Sequence, residues 1–232
     1  MKIFAIADLH LSLCGQKPME IFGDSWDNYT DIIYNDWQSK VTDDDIVLIA
    51  GDISWAMYME DFKADLEFFN GLKGKKVFIR GNHDYWWDSI SKVRANLKEN
   101  MYAIQNDCIR FDNVLICGTR GWVVPEKNQK LDEYDQKIYN RELERTQLCL
   151  KAMEKLRKES DKVIFMIHYP PFNVAREQNE FMDLFEKYKV DTVVYGHLHG
   201  KSVKTCLFEI RNGVKYYLTA TDQIKHHLVE IN

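Results

Sequence analysis

A chain of 232 residues that is 45% hydrophobic and 29% charged carries enough apolar material for a large core, and 11 Gly and 4 Pro exclude long low-complexity stretches. A formal charge of −5 argues against a nucleic-acid partner, because polynucleotide phosphates are usually met by a net basic face. Bound divalent cations would reverse that potential only locally.

The length fits one domain over residues 1–232, and no internal repeat is present. Cys14, Cys108, Cys117, Cys149 and Cys206 are odd in number, scattered and never spaced as C-x-x-C, which fits a reducing cytoplasm better than a disulfide framework or a zinc finger. The apolar start after Met1-Lys2 is broken by Asp8 and His10, so it reads as a first strand and not as a signal peptide. No apolar run reaches the length of a membrane span.

In chain order, Ile3 to Ala7 predicts a buried strand leading into Asp8, and Ile46 to Ala50 a second leading into Gly51-Asp52. Glu60 to Asn70 has apolar residues at helical spacing. Val77 to Ile79 is a strand that runs into Gly81-Asn82-His83-Asp84, followed by a less regular helix over Trp87 to Lys98. Cys108 to Phe111 and Val114 to Cys117 form a hairpin across Asp112-Asn113, and Asp132 to Lys158 is a long charged helix. Val163 to Ile167 leads into His168, Phe181 to Tyr188 is a short helix, and Thr192 to Tyr195 leads into Gly196-His197-Leu198-His199. Val203 to Ile210 and Val214 to Ala220 pair across Asn212-Gly213, the strongest hairpin signal in the chain. The result is an α/β fold of two facing sheets with helices outside. Open α/β sheets place the loops after their strands along one edge, so five polar loops converge on one crevice.

Those loops carry metal-ligand chemistry. Asp8-x-His10 and His197-x-His199 each put two donors on one side of an extended strand end. Carboxylate, imidazole and amide oxygen without thiolate suit manganese first, then iron, zinc, nickel or cobalt. Asp8, His10, Asp52, Asn82, His168, His197 and His199 are more ligands than one ion needs, so two divalent transition-metal ions are expected, with Asp52 bridging through its two oxygens. Any one of these motifs alone is weak. The ordered set is not, since its motifs, His83 included, take up five of the 7 histidines in the chain.

Taken together, Asp8-Leu9-His10, Gly51-Asp52, Gly81-Asn82-His83-Asp84, His168 with Pro170, and Gly196-His197-Leu198-His199 resemble the full signature of the calcineurin-like metallophosphoesterase superfamily, from residue 8 to 199. The resemblance implies a four-layer α-β-β-α sandwich of two mixed sheets flanked by helices. It also implies one ion held by Asp8, His10, Asp52 and His199, and another by Asp52, Asn82, His168 and His197. The activity implied is hydrolysis of a small-molecule phosphate ester, mono- or diester, by attack of a metal-bridging hydroxide on phosphorus. A non-catalytic interaction module of the same fold and a nuclease are the alternatives, and the oligomeric state is left open.

His83 stands beside a ligand without being one and is the expected general acid. Asp84 resembles the family residue that hydrogen-bonds this histidine, and it also suits a cap for the helix that follows. Arg120, between glycines after a strand, suits a phosphate clamp and an ordinary turn arginine in equal measure. Arg141 and Arg145 are expected to pair with Glu142 or Glu144 on a solvated face. Trp55, Trp86, Trp87 and Trp122 suit core packing more than an aromatic wall, His226 and His227 suit a hydrated strand end, and Pro125 to Asp135 suits a loop.

Overall fold

A computed structural model of the chain describes residues 1–13, 15, 17–200, 203 and 205–232. The elements run β1 (Ile3–Ile6), α1 (Tyr29–Lys40), β2 (Ile46–Ile49), α2 (Met59–Asn70), β3 (Lys75–Phe78), α3 (Ile90–Asn96), β4 (Met101–Ala103) and β5 (Asp107–Phe111). They continue with β6 (Val114–Thr119), α4 (Glu133–Leu156), β7 (Lys162–Ile167), α5 (Glu180–Lys187), β8 (Thr192–Tyr195), β9 (Phe208–Arg211), β10 (Val214–Leu218) and β11 (Val229–Glu230).

Among the described residues these strands form a five-stranded sheet in the order β11-β1-β2-β3-β4 and a six-stranded sheet in the order β5-β6-β7-β8-β10-β9. Both are mixed. β1 to β4 are mutually parallel with β11 antiparallel at the edge, while β5 and β9 run antiparallel to a parallel interior of β6, β7, β8 and β10.

The alternation of side chains along each strand sorts them into three cores. Ala5 and Ala7, Leu48 and Ala50, and Val77 and Ile79 pack between the sheets against Ile116, Ile164, Met166 and Val194. Phe4, Ile6, Val47, Ile49 and Phe78 face outward and are covered by Trp37 of α1 and Phe62, Leu66 and Phe69 of α2. On the other side Leu115, Phe165, Val193 and Tyr216 are covered by Leu150 and Met153 of α4 and Phe181 and Phe185 of α5. The order of layers is therefore helix, sheet, sheet, helix. The central strands are buried on both faces, which is why they read as unbroken apolar runs.

Several boundaries differ from expectation. α1 carries a narrow apolar stripe of Tyr29, Ile33 and Trp37 amid polar and β-branched residues, so periodicity alone does not reveal it. α3 starts at Ile90, behind Ser89; Trp86 and Trp87 precede it in a buried loop. β9 begins only at Phe208, and Lys204 within the predicted strand lies outside the described residues, as does Cys14. At the Asn212-Gly213 turn both residues have positive φ (48° and 84°), the backbone that a tight hairpin turn requires. The long charged segment is helical as expected, with the Asp132 side chain accepting from the Asp135 amide at 2.8 Å.

The candidate metal centre

The C-terminal ends of the parallel strands of both sheets meet at one edge. Thr219 and Ala7 are joined by an amide-to-carbonyl bond of 2.8 Å, Asp8 N donates to Gly51 O at 3.0 Å, and Gly196 N donates to His168 O at 3.1 Å. His168 Nδ1 reaches Ala50 O in the other sheet at 3.0 Å. The loops that follow β1, β2, β7 and β8 are thus stitched to one another.

Asp8, His10, Asp52 and His197 are not extended, as their spacing suggested. Their φ values are 57°, 48°, 50° and 70°, in the left-handed region, which Asp and His tolerate better than most non-glycine residues. The strands stop before them, and the left-handed turns aim the side chains inward; such strain is commonly confined to functional sites. Close approach is also required of the glycines. A Cβ on Gly81 would lie 2.1 Å from Asp52 Oδ1, and one on Gly196 would lie 2.5 Å from Asp8 Oδ2.

Two donor groups result. In one, Asp8, His10 and His199 offer atoms within 4.8 Å of one another, and in the other Asp8, Asp52 and His168 do the same. Asn82 Oδ1 lies 2.8 Å from His168 Nε2 and 3.0 Å from His197 Nδ1, which ties the remaining two expected ligands to the second group. Asp52 stands between the groups: its Oδ2 is 3.4 Å from His168 Nε2 and 3.8 Å from His10 Nε2. All seven residues are thus brought together.

Among the described residues, both ring nitrogens of His10 and Oδ2 of Asp52 are buried with no hydrogen-bond partner. Leaving such atoms unsatisfied in a protein interior is costly, and a cation between Asp52 Oδ2 and His10 Nε2, which lie 3.8 Å apart, would satisfy both, so the donor set fits divalent metal. Burial pushes the His10 and His197 imidazoles down to about 3, which keeps their lone pairs available. Burial also raises the Asp8 carboxyl well above its usual range, whereas for Asp52 the neighbouring His168 and His10 outweigh burial and hold the carboxyl low. Burial opposes a charge on His168, yet Asp52 and Asp8 overcome it and raise the imidazole to about 9.

His83 is half-buried beside this group, its ring centroid 4.7 Å from Trp55 and 5.6 Å from His10. Its backbone N–H donates to Asp52 Oδ1 at 2.8 Å, while its Nδ1 is buried with no partner among the described residues. Burial lowers its pKa.

Asp84 is placed otherwise than expected. Its carboxylate accepts from the amides of Gly81 (2.7 Å), Ile53 (2.8 Å) and Ser54 (3.2 Å) and from the Trp86 indole (3.0 Å), and it does not bond His83. It does not cap α3 either, because five residues separate it from the first turn at Ile90. With burial as the main cause, its pKa rises to about 6. Asp84 locks the two loops that carry Asp52 and Asn82 to each other, a role visible only once both loops are in place.

Other readings also change. The Arg120 guanidinium lies over Trp122 at 4.7 Å and lines a cavity none of whose lining residues is an expected ligand. Arg145 does pair with Glu142, at 2.6 Å, but Glu142 is fully buried, so this is not a solvated face. His226 is buried against Trp26 and Tyr29, with Nε2 2.6 Å from Ser25 O, and is no hydrated strand end, whereas His227 is exposed just before β11 and pairs with Asp36 at 2.8 Å. Trp55 stacks on His10 with centroids 4.6 Å apart, whereas Trp86 and Trp87 are core residues.

Two contacts were not anticipated. Tyr169 packs against His197 with the rings tilted by 31° and their centroids 4.1 Å apart, and Asp222 accepts the Gly200 amide at 2.6 Å just after the His197-x-His199 motif. Tyr169 directly follows His168, a signal within reach of the sequence; Asp222 is distant from any motif. Beside His197, a cleft of about 560 Å³ is walled by Val123, Val124, Tyr169, Pro170, Phe172 and Leu198, with Glu126 and Gln129 of the 125–135 loop at its rim.

The chain matches the family model for calcineurin-like phosphoesterases over residues 1–201, and it belongs to that family. Its fold is similar to that of TT1561 of Thermus thermophilus, with a TM-score of 0.61 at 14% identity over 99% of this chain and 97% of that one. It is also similar to AQ665 from Aquifex aeolicus, a protein of unknown function, with a TM-score of 0.53 at 11% identity over 99% and 95%. A search of curated proteins found no significant match. Among the described residues no helix is long and apolar enough to cross a membrane.

Proposed function

We propose that this chain is a metal-dependent phosphohydrolase, acting as one catalytic unit over residues 1–232, that cleaves small-molecule phosphomonoesters or phosphodiesters. The observation that carries this reading is the pair of largely buried donor groups that share Asp8, with Asp52 Oδ2 lying between His168 and His10 and left without a hydrogen bond. Asp8, His10, Asp52 and His199 would hold one ion, and Asp52, Asn82, His168 and His197 the other, with manganese the first choice. Bound there, divalent ions neutralise phosphate oxygens and make water a stronger acid at neutral pH.

The remaining work falls to the protein. Asn82 contributes an oxygen without adding charge, placed 2.8 Å from His168 Nε2 and 3.0 Å from His197 Nδ1 so that all three would face the same ion, while the contact of His168 Nδ1 with Ala50 O orients that ring. Asp84 keeps the Asp52 and Asn82 loops in register. His83, whose backbone is pinned to Asp52, presents an imidazole able to hand a proton to the leaving oxygen. The apolar cleft beside His197 receives the organic part of the ester and keeps bulk water from it. The negative overall charge and this apolar wall favour a small ester over a polynucleotide, and retention of His83 with all seven ligands favours catalysis over a purely structural role. Cys108, Cys117, Cys149 and Cys206 are free thiols, in keeping with a reducing cytoplasm.

The test is hydrolysis of p-nitrophenyl phosphate and bis-p-nitrophenyl phosphate by manganese-loaded protein. Turnover of at least one is expected, and the ratio of the two settles the ester class. No turnover of either, or of any phosphate ester in a wider panel, would remove the assignment.

A further inference from the structure

Next to the metal-ligand cluster lies a second cavity of about 230 Å³ at the same edge of the fold, and none of its lining residues is a candidate ligand. Among the described residues, four of those that line it are arginines: Arg80, Arg120, Arg141 and Arg145. The carboxylate packed among them is Glu142, and its oxygens are already engaged. Oε1 takes Arg145 at 2.6 Å, and Oε2 takes the Thr119 hydroxyl at 2.7 Å and the Gly121 amide at 3.2 Å. Arg141 Nε is 3.9 Å from Oε1, too far for a hydrogen bond.

One arginine therefore braces α4 to β6 through Glu142, and that brace explains no other. Nε of Arg80 and Nε of Arg120 are buried with no partner among the described residues. Converging guanidiniums repel one another, and buried donors without acceptors are costly, so the arrangement calls for an anion. Planar N–H forks match the oxygens of a phosphoryl group, and the Arg120 fork packs over the Trp122 ring at 4.7 Å.

The cavity adjoins the metal-ligand loops. Arg80 precedes Asn82 by two residues, so their Cα atoms are at most roughly 7 Å apart. The Arg120 carbonyl accepts the amides of His168 (3.1 Å) and Tyr169 (3.0 Å).

We propose that this arginine basin binds a second phosphoryl group, so that the preferred substrates carry two, one held for hydrolysis and one anchored by Arg80, Arg120, Arg141 and Arg145. The assignment rests on the phosphohydrolase reading above and narrows its substrate class.

Two measurements test it. Calorimetric titration of inorganic phosphate into the chelator-stripped full chain reports the basin without the metals. Saturable binding of one phosphate per chain is expected, weakened at least fivefold in Arg141→Gln and abolished in Arg141→Glu. The Arg141 side chain is 46% exposed, so both variants should fold, which circular dichroism verifies. With manganese-loaded enzyme, the kcat/KM ratio of adenosine 3′,5′-bisphosphate to adenosine 5′-monophosphate is expected to fall at least fivefold in Arg141→Gln. Absence of phosphate binding by stripped wild type, or equal binding by the variants, would overturn the basin while p-nitrophenyl phosphate hydrolysis still stood. Binding without hydrolysis of any phosphate ester would instead overturn the phosphohydrolase reading, and with it the second-phosphoryl assignment.

Discussion

Asp52→Asn is expected to lower metal content by well over the roughly 10–100-fold affinity loss that follows removal of an outer partner of a metal ligand, and to cut hydrolysis about 10³-fold. Asp52 is the one residue whose two oxygens face different tasks. Oδ1 accepts the His83 amide at 2.8 Å, which fixes the loop, and Oδ2 has no hydrogen bond and stands between His10 and His168. An asparagine preserves the first oxygen and places an uncharged amide nitrogen, a donor, where two imidazoles await a cation. The substitution nearly conserves shape, so the fold should survive. Elemental analysis after gel filtration checks the loss, and metal content equal to wild type would remove Asp52 from the ligand set.

His83→Ala should leave metal content unchanged and lower turnover by about 10²–10⁴ for alkyl phosphates, the range typical of a lost general acid. For p-nitrophenyl phosphate, whose leaving group departs without a proton, the loss should be much smaller. This contrast separates proton donation from binding, because a defect in phosphate binding would lower both substrates alike. The structure makes the variant clean: the His83 contact to Asp52 is made by the backbone and remains in alanine. Equal turnover of an alkyl phosphate by variant and wild type would take His83 out of the mechanism.

Much of the architecture was legible because strands buried on both faces have to be apolar throughout, and each such run ended at a polar motif. β1, β2, β7 and β8 fall within a residue of the predicted spans. The Asn212-Gly213 turn was readable for a different reason, since few residue pairs adopt two positive φ angles. α1 was not legible, because Tyr29, Ile33 and Trp37 pack through tertiary contacts that a narrow stripe does not announce. β11 is only two residues long and exists by pairing with β1, more than two hundred residues earlier.

At the site, residue types and spacing named the cluster, but not its backbone or its supports. The left-handed φ of Asp8, His10, Asp52 and His197 follows from how the loops close. The four donors to Asp84 come from Gly81, Ile53, Ser54 and Trp86, three of them contributed by two different loops through backbone amides, and backbone donors leave no trace in a sequence pattern. The arginine basin was hidden for the same reason. Arg80, Arg120, Arg141 and Arg145 belong to β3, β6 and α4 or the segments that follow them, and only the meeting of the two sheets brings them to one cavity.

The central claim is that hydrolysis depends on metal held by the two donor groups that meet at Asp8 and Asp52. It is tested most directly by titrating manganese into chelator-stripped wild-type protein while bound metal and p-nitrophenyl phosphate hydrolysis are followed in the same samples. The expected result is no hydrolysis without metal and a rise that tracks occupancy to a plateau at about two ions per chain. Hydrolysis indifferent to manganese, or a folded protein that takes up no metal, would contradict it.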